Sequence, residues 1–231
     1  MNNLYERAGE FWKAKSNALK NRPWSVRLNN GELGLTHYKG FLLETYHNAG
    51  MNPQLQAYST IFFKEINRDM VKKFYQHSIS EIGHDLLAQS DLEALGVSEN
   101  LVVNSQPLPT TRAFFANTYY QIQNHGVTAY LAYLFHLEFS PVTNGPAIMQ
   151  MLKGKGIPDQ ALTFLHEHST IDIQHLKLMK AYLENLIHDE KQEQIFFSCL
   201  SDNIILHNLM LEAAFENGEV LFANRISSAV S

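Results

Sequence analysis

One cysteine, Cys199, stands in 231 residues. That excludes an intramolecular disulfide framework and a zinc site built on thiolates, and leaves Cys199 to be read as a small buried hydrophobe. Basic clusters are scarce as well. Lys and Arg number 18 against 23 Asp and Glu, the formal net charge is -5, and the longest basic run is Lys72-Lys73. Nucleic acid and anionic membrane surfaces are therefore poor partners. No apolar run reaches the ~18 residues of a membrane helix, and the opening MNNLYERAGEFWKAKSNALK has no signal-peptide hydrophobic region. The expectation is a soluble, cytoplasmic protein. Alternating strand patterns are missing too, and no Asn-Gly pair lies between two β-rich runs.

What is present is a globular composition, 45% hydrophobic and 18% charged, with helical periodicity between almost all breakers. The length fits one domain spanning 1–231. Leu4, Ala8, Phe11 and Ala18 mark one face of an opening helix that stops near Pro23. Thr36 is a candidate N-cap for a second helix to about Asn48, with a break or kink at Gly50 and Pro53. Helix resumes from Gln54 to Ile66, and another runs from Asp69 to Leu95, where Gly96 ends it. Glu99 to Pro109 is the clearest loop. Thr110 or Thr111 then caps a segment to about Phe139, broken at Pro141 and at Asn144-Gly145-Pro146. Helices from Asp159 to Ile187 and from Glu190 to about Ala223 complete an all-α bundle without a dividing linker, the last interrupted near Asp202-Asn203.

A ligand-like pattern occurs twice, as His77-x3-Glu81-x2-His84 and His168-x3-Asp172-x2-His175. On a helix, positions i, i+4 and i+7 fall within an arc of roughly 60°. Each triplet then aims two imidazoles and a carboxylate one way. Helical di-metal proteins take a Glu from each of two helices and a Glu-x-x-His pair from each of two others. Here Glu44, Glu81-x2-His84, Glu138 and Asp172-x2-His175 follow in that order, with Glu81 and Glu138 as the expected catalytic carboxylates. An isolated Glu81 or Asp172 would ordinarily be a solvated helix carboxylate. Glu138 is sharper, because it follows the apolar run from Val127 to Leu137, where an uncompensated carboxylate is costly. Glu44, in Phe41-Leu42-Leu43-Glu44, makes the same case. Four carboxylates against two divalent ions leave a nearly neutral site, and imidazole donors suit iron better than calcium or magnesium. His168 extends the second triplet by a turn. His77 has a weaker case, and His47 would ligate or orient a ligand. His125, His136 and His166 read as structural, His37, His188 and His207 as surface or packing residues. Tyr119 or Tyr120 would line a substrate pocket.

In these words, together with Glu44-Thr45-Tyr46-His47, the run from Asp91 to Gly96, Tyr119-Tyr120-Gln121-Ile122 and Ala161 to Leu165, the sequence resembles the haem-oxygenase-like di-iron oxidases and oxygenases. These are often labelled iron-containing redox enzymes and are fold relatives of thiaminase II (TenA). The resemblance covers about 36 to 187. It implies a haem-oxygenase-like bundle of about seven helices in which Glu44, Glu81, His84, Glu138, His168, Asp172 and His175 ligate two irons, manganese being the other metal this set accepts. It further implies O2 and a small-molecule substrate as partners, with an electron donor and a homodimer as further expectations. Cys199 lies beyond the last ligand helix, against thiaminase activity, and the carboxylate set is foreign to haem oxygenase itself. The competing expectation is a metal-free helical protein that binds or senses a small molecule in the same cavity.

Overall fold

The chain enters its first helix through Asn3, whose side chain accepts from Glu6 N at 2.9 Å, an N-cap of the kind that satisfies an otherwise orphaned donor. From there the computed structural model describes residues 3–63, 68–170 and 172–223, with the side chains of 170–174 left undescribed. The helices are α1 (Leu4–Ala18), α2 (Pro23–Asn29), α3 (Leu35–Ser59), α4 (Arg68–Glu81), α5 (His84–Ala94), α6 (Glu99–Val103), α7 (Pro109–His125), α8 (Val127–Gly154), α9 (Thr163–Thr170), α10 (Asp172–Leu186) and α11 (Glu190–Phe222). No strand occurs among the described residues. The all-α expectation holds, with eleven α-helical segments among the described residues where about seven were expected.

The extra segments have local causes. Gly83 adopts φ 96°, a left-handed conformation that a residue with a Cβ rarely takes. It splits the expected helix from Asp69 to Leu95 into α4 and α5. The loop expected from Glu99 to Pro109 contains the one-turn α6. Conversely, the expected breaks at Gly50 and Pro53, at Pro141 and Pro146, and near Asp202 do not occur: α3, α8 and α11 run through them. A proline removes one helical hydrogen bond. In α3 the buried Asn52, Leu55 and Gln56 beside Pro53 hold the turn in place, and in α8 the helix runs on through Pro141 and Pro146 although most residues around them are exposed or half-buried. The expected helix end at Ile66 lies outside the described residues.

Two hydrophobic clusters form the core. Trp12, Leu55, Phe74, Phe114, Tyr130, Tyr133, Tyr182 and Phe196 belong to one, and Tyr38, Leu42, Ala88, Leu92, Leu152, Phe164 and Phe222 to the other. Chain segments pass from one cluster to the other at a few places, and the polar residues gather there. Glu81 to His84 sits where α4 of the first cluster gives way to α5 of the second. His168 on α9 and His175 on α10 flank a second such passage. Glu138 lies between Phe135 and Leu152 on α8, and Asn48 and Asn52 between Leu43 and Leu55 on α3. All of Glu81, Glu138, Asn48 and Asn52 are buried.

Candidate metal centre

Glu81 closes α4 and is buried at 6% exposure, with its two carboxylate oxygens facing different neighbours. Oε1 lies 3.6 Å from His77 Nε2 and 3.7 Å from His175 Nδ1. Oε2 lies 3.4 Å from His84 Nδ1. Glu138 completes the first set, with Oε1 3.3 Å from His77 Nε2 and Oε2 3.1 Å from His175 Nδ1. His77, Glu81, Glu138 and His175 thus form one ligand group and Glu81, His84 and His168 a second, the ligand atoms within each lying within 4.8 Å of one another. Two ligand atoms bound to a common ion at ~2.1 Å, at tetrahedral to octahedral angles, stand about 3.0–3.5 Å apart. Most of the measured separations fall in or near that range. His77 Nε2 is buried without a hydrogen-bond partner, an orphan that an ion between the two carboxylates would satisfy.

The surrounding residues orient this set. His168 Nδ1 pairs with the Phe164 carbonyl at 2.8 Å; a carbonyl only accepts, so Nδ1 carries the proton and Nε2 is left as the ligand atom. Asn52 Nδ2 donates to Glu81 Oε2 at 3.1 Å, and Asn52 Oδ1 accepts from the Tyr130 hydroxyl at 3.3 Å. Asp91 on α5 accepts from Thr163 N at 2.9 Å and Thr163 Oγ1 at 2.5 Å through Oδ1, and from Phe164 N at 3.0 Å through Oδ2. It caps the start of α9 from another helix, and α9 carries His168.

Charge in the set is shared between imidazoles and carboxylates. Burial pushes the Glu81 carboxyl upward, but the neighbouring His77 and His84 outweigh it and hold the group below the usual carboxylate range. Glu138 is likewise held low, with His175 and His77 overcoming its burial. His77 is pushed down by burial and, more strongly, up by Glu138 and Glu81. Gathered carboxylates without metal are expected to take up protons themselves; here the neighbouring imidazoles carry that role instead.

A cavity of about 860 Å³ opens onto this set and is lined by Glu81, Glu138 and His168 among others. A family model described as iron-containing redox enzyme matches residues 39–201, the span that holds every residue of both groups. The chain belongs to the iron-containing redox enzyme family. No match is found among curated protein sequences. Among solved structures, a domain of unknown function with a haem-oxygenase-like fold from Shewanella denitrificans OS217 is similar at 22% identity, covering 95% of this chain and 93% of its own, with a TM-score of 0.82. A TenA homologue from P. horikoshii OT3 is similar at 12% identity, covering 92% and 98%, with a TM-score of 0.72. These likenesses establish a haem-oxygenase-like helical fold for this member of the iron-containing redox enzyme family.

Of the expected ligands, the structure gathers Glu81, His84, Glu138, His168 and His175, and adds His77 on equal terms. The Asp172 side chain lies outside the described residues. Glu44 does not join either group. It is buried, and its Oε2 accepts from Leu108 N at 3.0 Å and from Thr111 Oγ1, so it ties α3 to the start of α7. His47 Nε2 pairs with Ser105 Oγ at 2.8 Å, in the same loop region. Tyr119 reaches Met51 Sδ at 3.6 Å, Tyr120 is exposed, and neither lines the cavity. Asn52 was invisible to the sequence reading. Its one signal was its place in the i, i+4 series Glu44, Asn48, Asn52 and Gln56, a polar stripe along α3.

Proposed function

We propose that this chain is a non-haem di-iron oxidoreductase that uses O2 on a small-molecule substrate held in the 860 Å³ cavity. The observation that carries the reading is the Glu81 carboxylate, whose two oxygens belong to two separate sets of imidazole and carboxylate donors. That is the arrangement of a bridging ligand. Glu138, His77 and His175 would hold one ion, His84 and His168 the other, with Asp172 as a further ligand. Such donors suit Fe(II), and manganese by the same chemistry. When bound, an iron pair supplies electrons and an open position for O2. The protein's part is placement and exclusion of water. Asn52 holds the bridging carboxylate in register, the Phe164 carbonyl fixes the His168 tautomer, and Asp91 anchors the helix that carries it. Tyr130 and Tyr133, both fully buried, wall the site on the α8 side.

No helix among the described residues is long and apolar enough to cross a membrane, in keeping with a cytoplasmic location and an electron donor met in solution. The exposed apolar side chains of Tyr75 and Ile79 on α4, Ile82 in the turn after it and Leu86 on α5 support a homodimer.

Anaerobic Fe(II) titration tests the metal reading. Wild-type protein should take up two irons per chain and consume O2 on exposure. A Glu81→Ala chain should retain at most one iron and lose O2 consumption while its circular dichroism stays helical, because the apolar clusters carry the fold. Equal iron content in the two proteins would end the di-iron assignment.

A further inference from the structure

The cavity wall holds two histidines that the metal set does not use. Trp12 Nε1 lies 2.8 Å from His136 Nδ1, and His136 Nε2 lies 2.8 Å from His207 Nδ1. Trp12 and His136 are almost fully buried, and Trp12, His136 and His207 all line the cavity.

An indole N–H only donates. His136 Nδ1 must therefore accept, which places the His136 proton on Nε2. That N–H donates to His207 Nδ1, which must accept in turn. His207 is left neutral, with its one proton on Nε2. No alternative assignment satisfies both bonds, since His136 cannot accept at both nitrogens and a cationic ring cannot accept at all. Burial works in the same direction and pushes His207 down to about 4. His207 Nε2 has no protein hydrogen bond among the described residues and is not among the buried orphans, so this donor faces the cavity that the ring lines.

We infer that His207 is a substrate-positioning residue, its Nε2–H recognising an acceptor oxygen, carbonyl or carboxylate, on a ligand whose apolar body extends towards Glu81 and Glu138. The rest of the wall agrees. The carboxylates lining the cavity are Glu81 and Glu138, both of the candidate metal set, whereas the exposed Lys13 on α1 and Lys20 in the turn after it border it. Phe41, Ile148, Met151 and Phe164 supply apolar surface along the cavity. A ligand that offers only N–H donors meets a donor at His207 and is selected against; one that offers an oxygen is held. A polar site discriminates through the partner it leaves unpaired. The inference rests on the proposed function only in taking the cavity's occupant as substrate.

The test uses metal-free protein with two eight-carbon probes, octanamide and protonated octylamine. In long-range ¹H–¹⁵N spectra of the wild-type chain, His207 should show a protonated Nε2 and a bare Nδ1. Octanamide should shift that Nε2–H saturably, and octylammonium should not. His207→Phe keeps a ring and removes the donor; octanamide should bind it roughly three- to tenfold more weakly, with octylammonium unchanged. Trp12→Phe leaves His207 in place but frees the His136 tautomer, and should give mixed His207 signals with a smaller loss. A proton found on His207 Nδ1, no saturable shift with octanamide, or equal octanamide affinity in wild type and His207→Phe would each overturn the assignment. The spectra of the unaltered chain decide the tautomer even if a variant fails to fold. Fe(II) stoichiometry is measured separately, so failure here leaves the di-iron reading standing, and the reverse holds.

Discussion

Glu44 illustrates how one buried carboxylate can serve structure where chemistry was expected. Its Oε2 is satisfied by Leu108 and Thr111, while Oε1 is buried without a hydrogen-bond partner. Burial raises its pKa, with Thr111, Leu108 and Arg112 pulling the other way. A carboxyl whose folded pKa lies above its unfolded one, ordinarily ~4.3, holds its proton more tightly in the native state. Its contribution to stability is therefore largest at low pH and drains away as pH rises from the unfolded value through the raised one. Glu44→Gln removes this dependence. Urea unfolding from about pH 4 to 8 should show the variant gaining on wild type as pH rises, with full Fe(II) uptake throughout. Lost iron in Glu44→Gln would return Glu44 to the ligand set.

At the scale of elements, the site depends on where helices are anchored and how closely they cross. Asp91 gives three hydrogen-bond acceptances to the first turn of α9. Asp91→Ala leaves those donors buried at a cost of about 1–3 kcal/mol. It should also weaken iron binding through His168, without touching a ligand; a variant with the wild-type Fe(II) affinity would show that α9 is held by packing alone. The α3–α11 crossing is tighter. A Cβ on Gly40 would stand 2.1 Å from the Ala214 carbonyl oxygen, and one on Gly218 would stand 2.3 Å from the Thr36 carbonyl oxygen. Both obstacles are backbone, which cannot rotate away. Gly218→Ala should destabilise by roughly 1–3 kcal/mol or more, read as a lowered midpoint in thermal or urea unfolding. An unchanged midpoint would mean the two helices separate freely.

Across the whole molecule, the two candidate ligand groups lie where the chain passes between the two hydrophobic clusters, so a metal bound there would link parts of the chain that apolar packing holds separately. Ligand that binds only the native state raises stability by mass action, about 2.7 kcal/mol at a hundredfold excess over the dissociation constant. Anaerobic Fe(II) should accordingly raise the melting temperature of wild type and leave that of Glu138→Ala nearly unchanged. Zinc, with similar preferences for imidazole and carboxylate, should raise it too but support no O2 consumption. If Fe(II) moved both proteins equally, its binding would lie outside this set.

Helical periodicity, a single cysteine and the twice-repeated triplet of imidazole and carboxylate were enough to set the fold class and to single out Glu81, His84, Glu138, His168 and His175, which the fold brings together. Those signals are local, and helix geometry converts spacing into a shared face. Tertiary structure decided what spacing does not encode. Gly83 was legible only as a glycine, yet its left-handed turn re-aims His84 at Glu81 across a helix break. Pro53 sits inside α3 because the packing of Asn52, Leu55 and Gln56 beside it outweighs its missing hydrogen bond, and α8 likewise continues through Pro141 and Pro146. Glu44 looked like Glu138 from its apolar neighbours, and only the approach of Leu108 and Thr111, more than sixty residues on, gave it a different task. His207 read as a packing residue for the same reason. Its role follows from the hydrogen bonds linking Trp12, His136 and His207 on three helices, and no single helix contains that order.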